Sequence, residues 1–335
     1  MYILGIESSC DETSVSVVED GRNIKSLITA SQIDVHKRYG GVVPEVASRA
    51  HLQAISSLTY QALSDAEINI EDIDAIAVTN KPGLIGALLV GVNFAKGLAY
   101  SNNIPLICVN HIKGHIAANY LTSDDLKAPF MGIVMSGGHT SIVRADSYTQ
   151  FTTVGRTRDD AVGEAFDKCA RVLGIPYPGG KEIDRLASLG DPDAIKFPIA
   201  KMSDCADFSF SGLKTAVINY VHKHEQKAEH FSREDLAASL TKAVCAAVEA
   251  NIRYALNNYN NGYKTFVAGG GVCANSHLRK TISSLCDSMG YKLYMPNLEY
   301  CGDNAAMIAS QAYYEYLNGG DFYDLRNNAY ASNDF

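Results

Sequence analysis

Residues 2–21, YILGIESSCDETSVSVVEDG, carry the pattern that decides the fold. An apolar run is followed by a turn of small and hydroxyl residues and then by alternating apolar and polar residues, which predicts two strands joined in a hairpin. Residues 130–147, FMGIVMSGGHTSIVRADS, repeat this order. In both turns, backbone N–H groups and a hydroxyl could face a phosphate. The repetition predicts an internal duplication whose second half begins near Pro129.

Helices and strands alternate along the rest of the chain, which predicts mixed α/β sheets with helix-covered faces. Buried strands are predicted at 73–80 and 105–110, and another before the triple glycine 269–271. Periodicity and start signals predict helices at 46–66, 160–173, 181–189, 212–222, 233–257 and 303–317.

Chain length and composition bound the class of protein. With 335 residues we expect two domains, 1–127 and 128–335, the first carrying the histidine helix and the second the substrate loops. The helix 303–317 is expected to pack back on the first domain. Hydrophobic residues make up 47% and charged residues 20%, as in ordinary globular proteins. No apolar run approaches the roughly 18 residues of a membrane helix, and no targeting segment is evident, so we expect a cytoplasmic protein without a membrane partner.

Cysteine spacing and net charge exclude other classes. The eight cysteines are dispersed without a C-x-x-C pair, which favours reduced thiols over a disulfide framework. A net charge of −8 argues against a protein that coats nucleic acid non-specifically. Local basic patches remain, with candidate members Lys37, Arg38, Arg49, Arg156 and Arg158.

The segment 110–121, NHIKGHIAANYL, places two histidines four residues apart. Asn110 is a good N-cap, so the segment predicts a helix with His111 and His115 on one face. Spacing alone leaves two alternatives open, a metal site and a packed or partly exposed histidine pair. Asp303, at the start of a predicted helix, could supply a third ligand. A thermolysin-type protease is excluded because Ile112 stands where H-E-x-x-H has its glutamate.

Glycine-rich turns provide candidate ligand loops. The triple glycine 269–271 lies between a predicted strand and a helix, where a nucleotide could approach, although it matches neither a Walker A loop nor G-x-G-x-x-G. The turn 135–140, MSGGHT, is either a simple hairpin turn or a second phosphate or substrate loop. Asp167 and Asp184 flank a Pro-Gly-Gly bend and could accept hydrogen bonds from a ligand or lie solvated on helices.

Together these segments resemble, in order along nearly the whole chain, the blocks of the bacterial TsaD family. The blocks are ILGIESSCDETSVSV, YGGVVPEVASRAH, PGLIGALLVG, HIKGHIAANYL, SGGHT, GEAFDKCARVLGIPYPGG, FSFSGLKTAV, AGGGVCAN and GDNAAMIA. The resemblance implies the two-domain actin-like fold of the actin, sugar kinase and heat-shock chaperone superfamily. It also implies an acyltransferase that moves the threonylcarbamoyl group of threonylcarbamoyl-AMP to N6 of adenosine 37 in tRNAs reading ANN codons, forming t6A.

The same resemblance implies site residues and partners. The implied metal ligands are His111, His115 and Asp303, binding one divalent ion per subunit, usually Fe2+, with Zn2+ also possible. The implied substrate contacts are Val134, Met135, Ser136, Gly137, Gly138, Asp167, Gly180, Asp184 and Asn275. The implied partners are the tRNA anticodon loop, the TsaB paralogue, the ATPase TsaE and a TsaC-type synthase that makes the intermediate.

Proton handling is assigned to the polar residues of the two hairpin turns, Asp11, Glu12 and His139. Two rival functions are an ATP-dependent kinase or ATPase of the same superfamily and a non-catalytic scaffold like TsaB. A kinase has no use for the H-x-x-x-H pair with Asp303, and a scaffold should have lost that ligand set.

Overall fold

The computed structural model describes residues 1–199 and 205–331, in which two five-stranded sheets are covered by helices. The strands are β1 (Tyr2–Glu7), β2 (Glu12–Glu19), β3 (Asn23–Ser31), β4 (Ala75–Lys81), β5 (Leu106–Asn110), β6 (Phe130–Met135), β7 (Thr140–Ala145), β8 (Phe151–Arg156), β9 (Thr265–Gly269) and β10 (Lys292–Tyr294). The helices are α1 (Ile33–Lys37), α2 (Pro44–Asp65), α3 (Ile85–Asn102), α4 (His111–Ala117), α5 (Val162–Val172), α6 (Gly180–Ala187), α7 (Ser211–Lys227), α8 (Arg233–Asn258), α9 (Ser276–Met289) and α10 (Ala305–Asn318).

The two sheets share one topology. The first has the order β3-β2-β1-β4-β5 and the second, read in the same direction, β8-β7-β6-β9-β10. Each is built on an antiparallel hairpin, β1–β2 or β6–β7, whose first strand also pairs in parallel with a later strand, β4 or β9. The internal duplication and the α/β class predicted from the two hairpin segments are confirmed.

The chain divides into two compact units. The first comprises residues 1–128, 146–151 and 296–335, and the second 129–145 and 152–295. The domain division 1–127 and 128–335 that the sequence predicts stays a prediction.

The first sheet has an apolar core on each face because successive strand residues point to opposite sides. Leu4 and Ile6 of β1 pack with residues of α2 and α3. Ile3 packs on the other face with residues of α10, including Met307. The carboxyl-terminal helix therefore belongs to the core of the first unit.

The predicted helices are present with shifted ends. The largest shift is at α7, which continues to Lys227. The carboxyl-terminal helix begins at Ala305 rather than at 303, because the side chain of Asn304 accepts a hydrogen bond from Met307 N at 2.9 Å and caps the helix. Asp303 thus precedes the N-cap instead of lying in the first turn. None of the helices among the described residues is long and apolar enough to cross a bilayer.

Candidate active site

The paired histidines lie on a short helix that directly follows a buried strand. Asn110 ends β5, and its Oδ1 accepts hydrogen bonds from the backbone N–H groups of Ile112 (2.8 Å) and Lys113 (3.4 Å), capping α4. Because His111 and His115 are one helical turn apart, their rings lie on one face with centroids 4.5 Å apart. Both side chains are buried. The capped helix predicted from the sequence is confirmed.

Asp303 joins the two histidines in a group of three potential ligands. Its Oδ1 lies 3.4 Å from His111 Nε2 and 3.3 Å from His115 Nε2. One ligand atom from each residue lies within 4.8 Å of the other two. Two imidazole nitrogens and a carboxylate oxygen form a donor set that suits Fe2+ or Zn2+.

The hydrogen bonding of His115 fits a cation at this group. The side chain has no exposed surface, yet neither ring nitrogen has a hydrogen-bond partner among residues 1–199 and 205–331. Its Nε2 is close to Asp303 Oδ1, at 3.3 Å, without hydrogen-bond geometry. An unsatisfied buried polar atom costs about 1–3 kcal/mol, which a metal–nitrogen bond would remove. The residues present therefore fit a divalent ion held by His111, His115 and Asp303.

Charges within the group shift the pKa values of its members in different directions. Burial opposes the ionised form of Asp303, but attraction to His111 and His115 holds the pKa of this carboxyl well below its usual range. Burial also opposes the charged form of His111, and the Asp303 and Glu7 carboxylates override it and raise its pKa well above the usual value. Burial and the charge of His111 lower the pKa of His115. One imidazolium and one neutral imidazole therefore face Asp303 when no cation is bound.

Two glycines allow α10 to approach closely enough to place Asp303. A Cβ on Gly5 in β1 would lie 2.3 Å from the carbonyl oxygen of Ala305, in the first turn of α10. A Cβ on Gly114 in α4 would lie 2.7 Å from Cδ1 of Ile308. Both distances are below ordinary van der Waals contact. At Gly5 the contacting atom belongs to the backbone, so a side chain there would push α10 outward, whereas at Gly114 the movable end of Ile308 would shift. The absence of a side chain at Gly5 thus allows α10 to bring Asp303 close to the histidines.

Glu7 and Ser9 contact His111, and sequence reasoning did not assign them this role. His111 Nδ1 lies 3.0 Å from Glu7 Oε2 and 3.2 Å from Ser9 Oγ. Glu7 is fully buried at the end of β1. The available signal was a carboxylate at the end of an otherwise apolar strand, because a buried charge requires partners. The sequence could not identify that partner, which lies 104 residues away.

Asp11 lies in the first hairpin turn and Glu12 begins β2, where it is in the electrostatic field of Asp303. Burial first, and then the negative charges of Asp303 and Asp11, raise the pKa of Glu12 to about 8. The carbonyl oxygen of Asp11 accepts a hydrogen bond from Gln32 N at 3.0 Å, which fixes the turn to the end of β3. The first unit therefore brings together five predicted site residues, namely Asp11, Glu12, His111, His115 and Asp303.

A buried histidine of α2 also holds this turn. His51 Nε2 donates to the carbonyl oxygen of Cys10 at 2.9 Å, and its Nδ1 accepts from Thr13 Oγ1 at 2.7 Å. The carbonyl oxygen of Cys10 can only accept, so the neutral ring carries its proton on Nε2, and Nδ1 is then the acceptor for Thr13 Oγ1. Burial lowers the pKa of His51 accordingly.

In the second unit, the predicted substrate residues 134–138 form the end of β6 and the turn that follows it. Ser136 N donates to the carbonyl oxygen of His139 at 2.8 Å, and His139 N donates to Ser136 Oγ at 3.2 Å. Gly270, with φ of +95°, packs so closely that a Cβ would lie 2.3 Å from the carbonyl oxygen of Met135. Because β6 and β9 run parallel, the glycine-containing turns that follow them lie at the same end of the sheet, where the carboxyl ends of both strands meet. The predicted loops 134–138 and 269–271 are therefore neighbours.

Asp167 and the Pro-Gly-Gly bend contact each other directly. Asp167 Oδ1 accepts a hydrogen bond from Gly179 N at 2.7 Å. A Cβ on Gly179 would lie 2.1 Å from the Cβ of Ala170, so the bend packs against α5. Gly180 begins α6. The carboxylate thus fastens the bend to α5, and its role as a ligand contact stays a prediction.

Asp184 and Asn275 meet at the start of α9. The Asp184 carboxylate accepts hydrogen bonds from Ser276 N at 3.1 and 3.2 Å and from Ser276 Oγ at 3.0 Å. Asn275 Oδ1 accepts from Leu278 N at 2.9 Å and caps α9. These side chains place the amino end of α9 beside the triple-glycine turn.

Comparison with known proteins identifies the family. The model of the TsaD family, described as tRNA N6-adenosine threonylcarbamoyltransferase, matches residues 23–310. The chain belongs to the TsaD family. It is therefore a transferase that modifies tRNA, and the family resemblance and enzyme class expected from the sequence motifs are confirmed. Neither a kinase or ATPase function nor a scaffold function is favoured.

Relatives with the same description are similar over almost their whole length. The proteins named tRNA N6-adenosine threonylcarbamoyltransferase include one from Clostridium beijerinckii, which is 52% identical over 328 residues, covering 98% of this chain and 96% of the relative. One from Caldicellulosiruptor saccharolyticus is 49% identical over 320 residues, covering 95% and 94%.

Solved structures at low sequence identity share the fold of this TsaD family member. HypF from T. kodakarensis superposes with a TM-score of 0.63 at 14% identity, covering 95% of this chain and 48% of HypF. The ROK hexokinase from Thermus thermophilus superposes with a TM-score of 0.53 at 14% identity, covering 95% and 100%. These likenesses concern the fold alone, and they confirm the predicted actin-like class.

Proposed function

We propose that this chain transfers the threonylcarbamoyl group of threonylcarbamoyl-AMP to N6 of adenosine 37 in tRNAs that read ANN codons, with the help of one divalent ion. In this reaction N6 attacks the carbamoyl carbon, the new N–C bond forms, the bond from that carbon to the phosphate oxygen breaks, and AMP leaves. The proton lost from N6 must be accepted at the site. Family membership supports the reaction, and the buried His–His–Asp group is the observation that carries the metal assignment.

His111, His115 and Asp303 would hold the ion, with Fe2+ as our first assignment and Zn2+ as the second. A bound ion of this kind supplies a Lewis acid that can orient and polarise a ligand oxygen. The chain's own part is to hold the Nε2 atoms of both imidazoles within 3.4 Å of Asp303 Oδ1, so that each nitrogen can coordinate the ion once it has lost any proton.

Glu12, Asp11 and His139 are our candidates for proton handling. The pKa of Glu12, about 8, means that its carboxyl holds a proton at neutral pH when no cation is bound, so it suits donation better than acceptance. His139 lies in the second unit, in the turn that Ser136 closes. Each role is tested separately by Glu12→Gln, Asp11→Asn and His139→Ala.

The turns of the second unit are proposed to hold the adenylate. The turn 136–139 and the triple glycine lie side by side, and their backbone N–H groups could bind a phosphate. Asp167, Gly180, Asp184 and Asn275 would shape this pocket through the hydrogen bonds that fix the bend and the start of α9.

The anticodon loop requires a positively charged surface on a chain of net charge −8. Among the candidate cations, Lys37 Nζ is paired with Asp34 at 3.1 Å and Arg158 Nη2 with Asp207 at 2.7 Å. Exposed pairs of this type are weak and can be exchanged for phosphate contacts. Since the substrate is tRNA, we place the reaction in the cytoplasm.

Partners are proposed on the same basis, namely TsaB, TsaE and a TsaC-type synthase as supplier of threonylcarbamoyl-AMP. An apolar groove of about 360 Å³ lies between α2 and α3 and is lined in part by Leu52 and Leu89, which are 69% and 41% exposed. Tyr60 on α2 is 78% exposed. An exposed apolar face of this kind suits a protein partner, and we propose that TsaB binds it.

A single-turnover experiment tests the proposed function. The metal content of the wild-type chain, His111→Ala and Asp303→Ala is measured first. Each protein is then mixed with carboxyl-labelled threonylcarbamoyl-AMP, unmodified ANN-reading tRNA and the proposed partners. We expect label at adenosine 37 with wild type and loss of at least 100-fold in rate with either variant. The exposed His222 provides a matched control, since His222→Ala should transfer normally. Normal transfer by metal-free protein would refute the metal assignment.

A further inference from the structure

We propose that Glu7 is a positioning residue that fixes the tautomer of His111, so that Nε2 is the metal-binding nitrogen. This inference rests on the metal site proposed above. The hydrogen bonds of Glu7 that the described residues show go to Ser9, Thr79 and His111. Glu7 acts through the imidazole of His111, whose Nδ1 lies 3.0 Å from Glu7 Oε2.

The carboxylate of Glu7 is held by donors from three segments of the chain, namely the turn after β1, the end of β4 and α4. Its Oε1 accepts a hydrogen bond from Ser9 N at 2.5 Å. Its Oε2 accepts from Thr79 Oγ1 at 2.5 Å, at the end of β4, and from His111 Nδ1 at 3.0 Å. The side chain has no exposed surface, so it cannot turn toward water. A buried carboxylate with both oxygens engaged is part of a built site rather than an incidental charge.

This arrangement determines which nitrogen of His111 carries the proton. An ionised carboxylate can only accept, so Nδ1 must be the N–H donor toward Glu7. The lone pair of the neutral ring is then on Nε2, the nitrogen that lies 3.4 Å from Asp303 Oδ1. A histidine with a carboxylate behind it is also a more basic ligand. Glu7 therefore directs the coordinating electron pair of His111 toward the other two ligands.

A glutamine at position 7 cannot reproduce this pattern, although it has the same shape. If its amide NH2 replaced Oε1, it would face the N–H of Ser9 at 2.5 Å, donor against donor. If the NH2 replaced Oε2, it would donate to His111 Nδ1, which would then have to accept. The proton of the neutral ring would move to Nε2 and point at Asp303, where it would block metal binding. An amide at this position therefore either leaves a donor clash or selects the wrong tautomer.

The two histidines are consequently unequal ligands. His115 has no hydrogen-bond partner at Nδ1 among the described residues, so nothing comparable orders its ring. Glu7 holds only His111 in this way. We expect the loss of Glu7 to weaken metal binding through His111 while His115 and Asp303 keep a residual site.

The test measures metal affinity and coordination rather than activity. Zn2+ affinity is obtained by competition with a chromophoric chelator, and the d–d spectrum of the Co2+-loaded chain reports the ligand field. Relative to wild type, we expect Glu7→Gln to weaken Zn2+ binding about 10- to 100-fold and to change the Co2+ spectrum. Thr79→Val removes a donor to Glu7 but keeps the carboxylate, so it should bind Zn2+ within about threefold of wild type.

Two further measurements separate the possible failures. His111→Ala must lose Zn2+ binding; if it binds like wild type, the proposed metal site fails. If His111→Ala loses the metal and Glu7→Gln binds within threefold of wild type, the role of Glu7 alone is refuted. Should Glu7→Gln not fold, two-bond 1H–15N spectra of the histidine rings in the Zn2+-loaded wild-type chain decide. We expect His111 to be protonated at Nδ1 with zinc at Nε2, and metal at Nδ1 would overturn the inference.

Discussion

Replacing Gly5 with alanine should weaken metal binding without altering any ligand. The added Cβ would lie 2.3 Å from the carbonyl oxygen of Ala305, whereas ordinary van der Waals contact begins near 3.4 Å. The first turn of α10 must therefore retreat by about 1 Å. Asp303 precedes this turn directly and would move with it, away from the Nε2 atoms of His111 and His115.

The magnitude follows from the tolerance of metal sites. Ligand distances must hold within about 0.2 Å, so a retreat of 1 Å exceeds what the site can absorb. Overpacking of a core costs about 1–3 kcal/mol. If about 1.4 kcal/mol of this strain falls on the metal-bound state, the Kd for Zn2+ rises about tenfold. The Tm of the metal-free chain should fall as well.

The assay is Zn2+ competition with a chromophoric chelator, combined with thermal unfolding of the metal-free chain. Gly97→Ala is the matched control, because a Cβ at Gly97 in α3 would meet no atom of the described residues within 4 Å. It should leave Kd unchanged and raise stability by about 0.5–1 kcal/mol through helix propensity. Gly114→Ala should have an intermediate effect, since its nearest atom is the movable end of Ile308. A folded Gly5→Ala chain with a Kd within twofold of wild type would refute the close-approach explanation.

Three further predictions concern the metal, pH and the second unit. Removing the metal with a chelator should lower the free energy of unfolding by about 2.7 kcal/mol, if the free ion was present at 100 times its Kd. Equal Tm values for the metal-loaded and the chelated chain in calorimetry would contradict this. Because burial lowers the pKa of His51, the unfolded chain binds more protons than the folded chain as the pH falls below about 6.5. The free energy of unfolding of the wild-type chain should therefore decline below that pH. Denaturant titrations at pH 7 and pH 5 should show a smaller decline for His51→Gln. Asn275→Ala should lower the free energy of unfolding by about 1 kcal/mol, because α9 loses its N-cap. The variant should also raise the KM for threonylcarbamoyl-AMP more than it lowers kcat. An unchanged KM would show that Asn275 is not part of the substrate pocket.

Local sequence signals were sufficient where structure is decided by neighbours in the chain. The cap at Asn110 and the single helical turn between His111 and His115 follow from residues four positions apart. The start of α8 at Arg233 is preceded by Ser232, which accepts a hydrogen bond from Asp235 N. In each case the side chain that decides the local conformation lies within one turn of the backbone that it fixes.

Other features escaped prediction because their signals are weak or distant. β3 and β8 are edge strands whose sequences, NIKSLITAS and FTTVGR, carry few fully buried residues and so little apolar alternation. The start of the carboxyl-terminal helix was misplaced by two residues because Asp303 and Asn304 are both plausible caps, and only the contact from Met307 N selects Asn304.

The sequence by itself determined the duplicated hairpins, the α/β class, the helix carrying the histidines and, through its motifs, the TsaD family. Only the tertiary structure decided which carboxylates approach the histidines and from which side. Asp303 reaches His115 because Gly5 has no side chain where α10 packs on β1, and these contacts join residues 188 and 300 positions apart. The physical reason is that metal sites and buried charges depend on distances between elements, which packing sets and which no local pattern records.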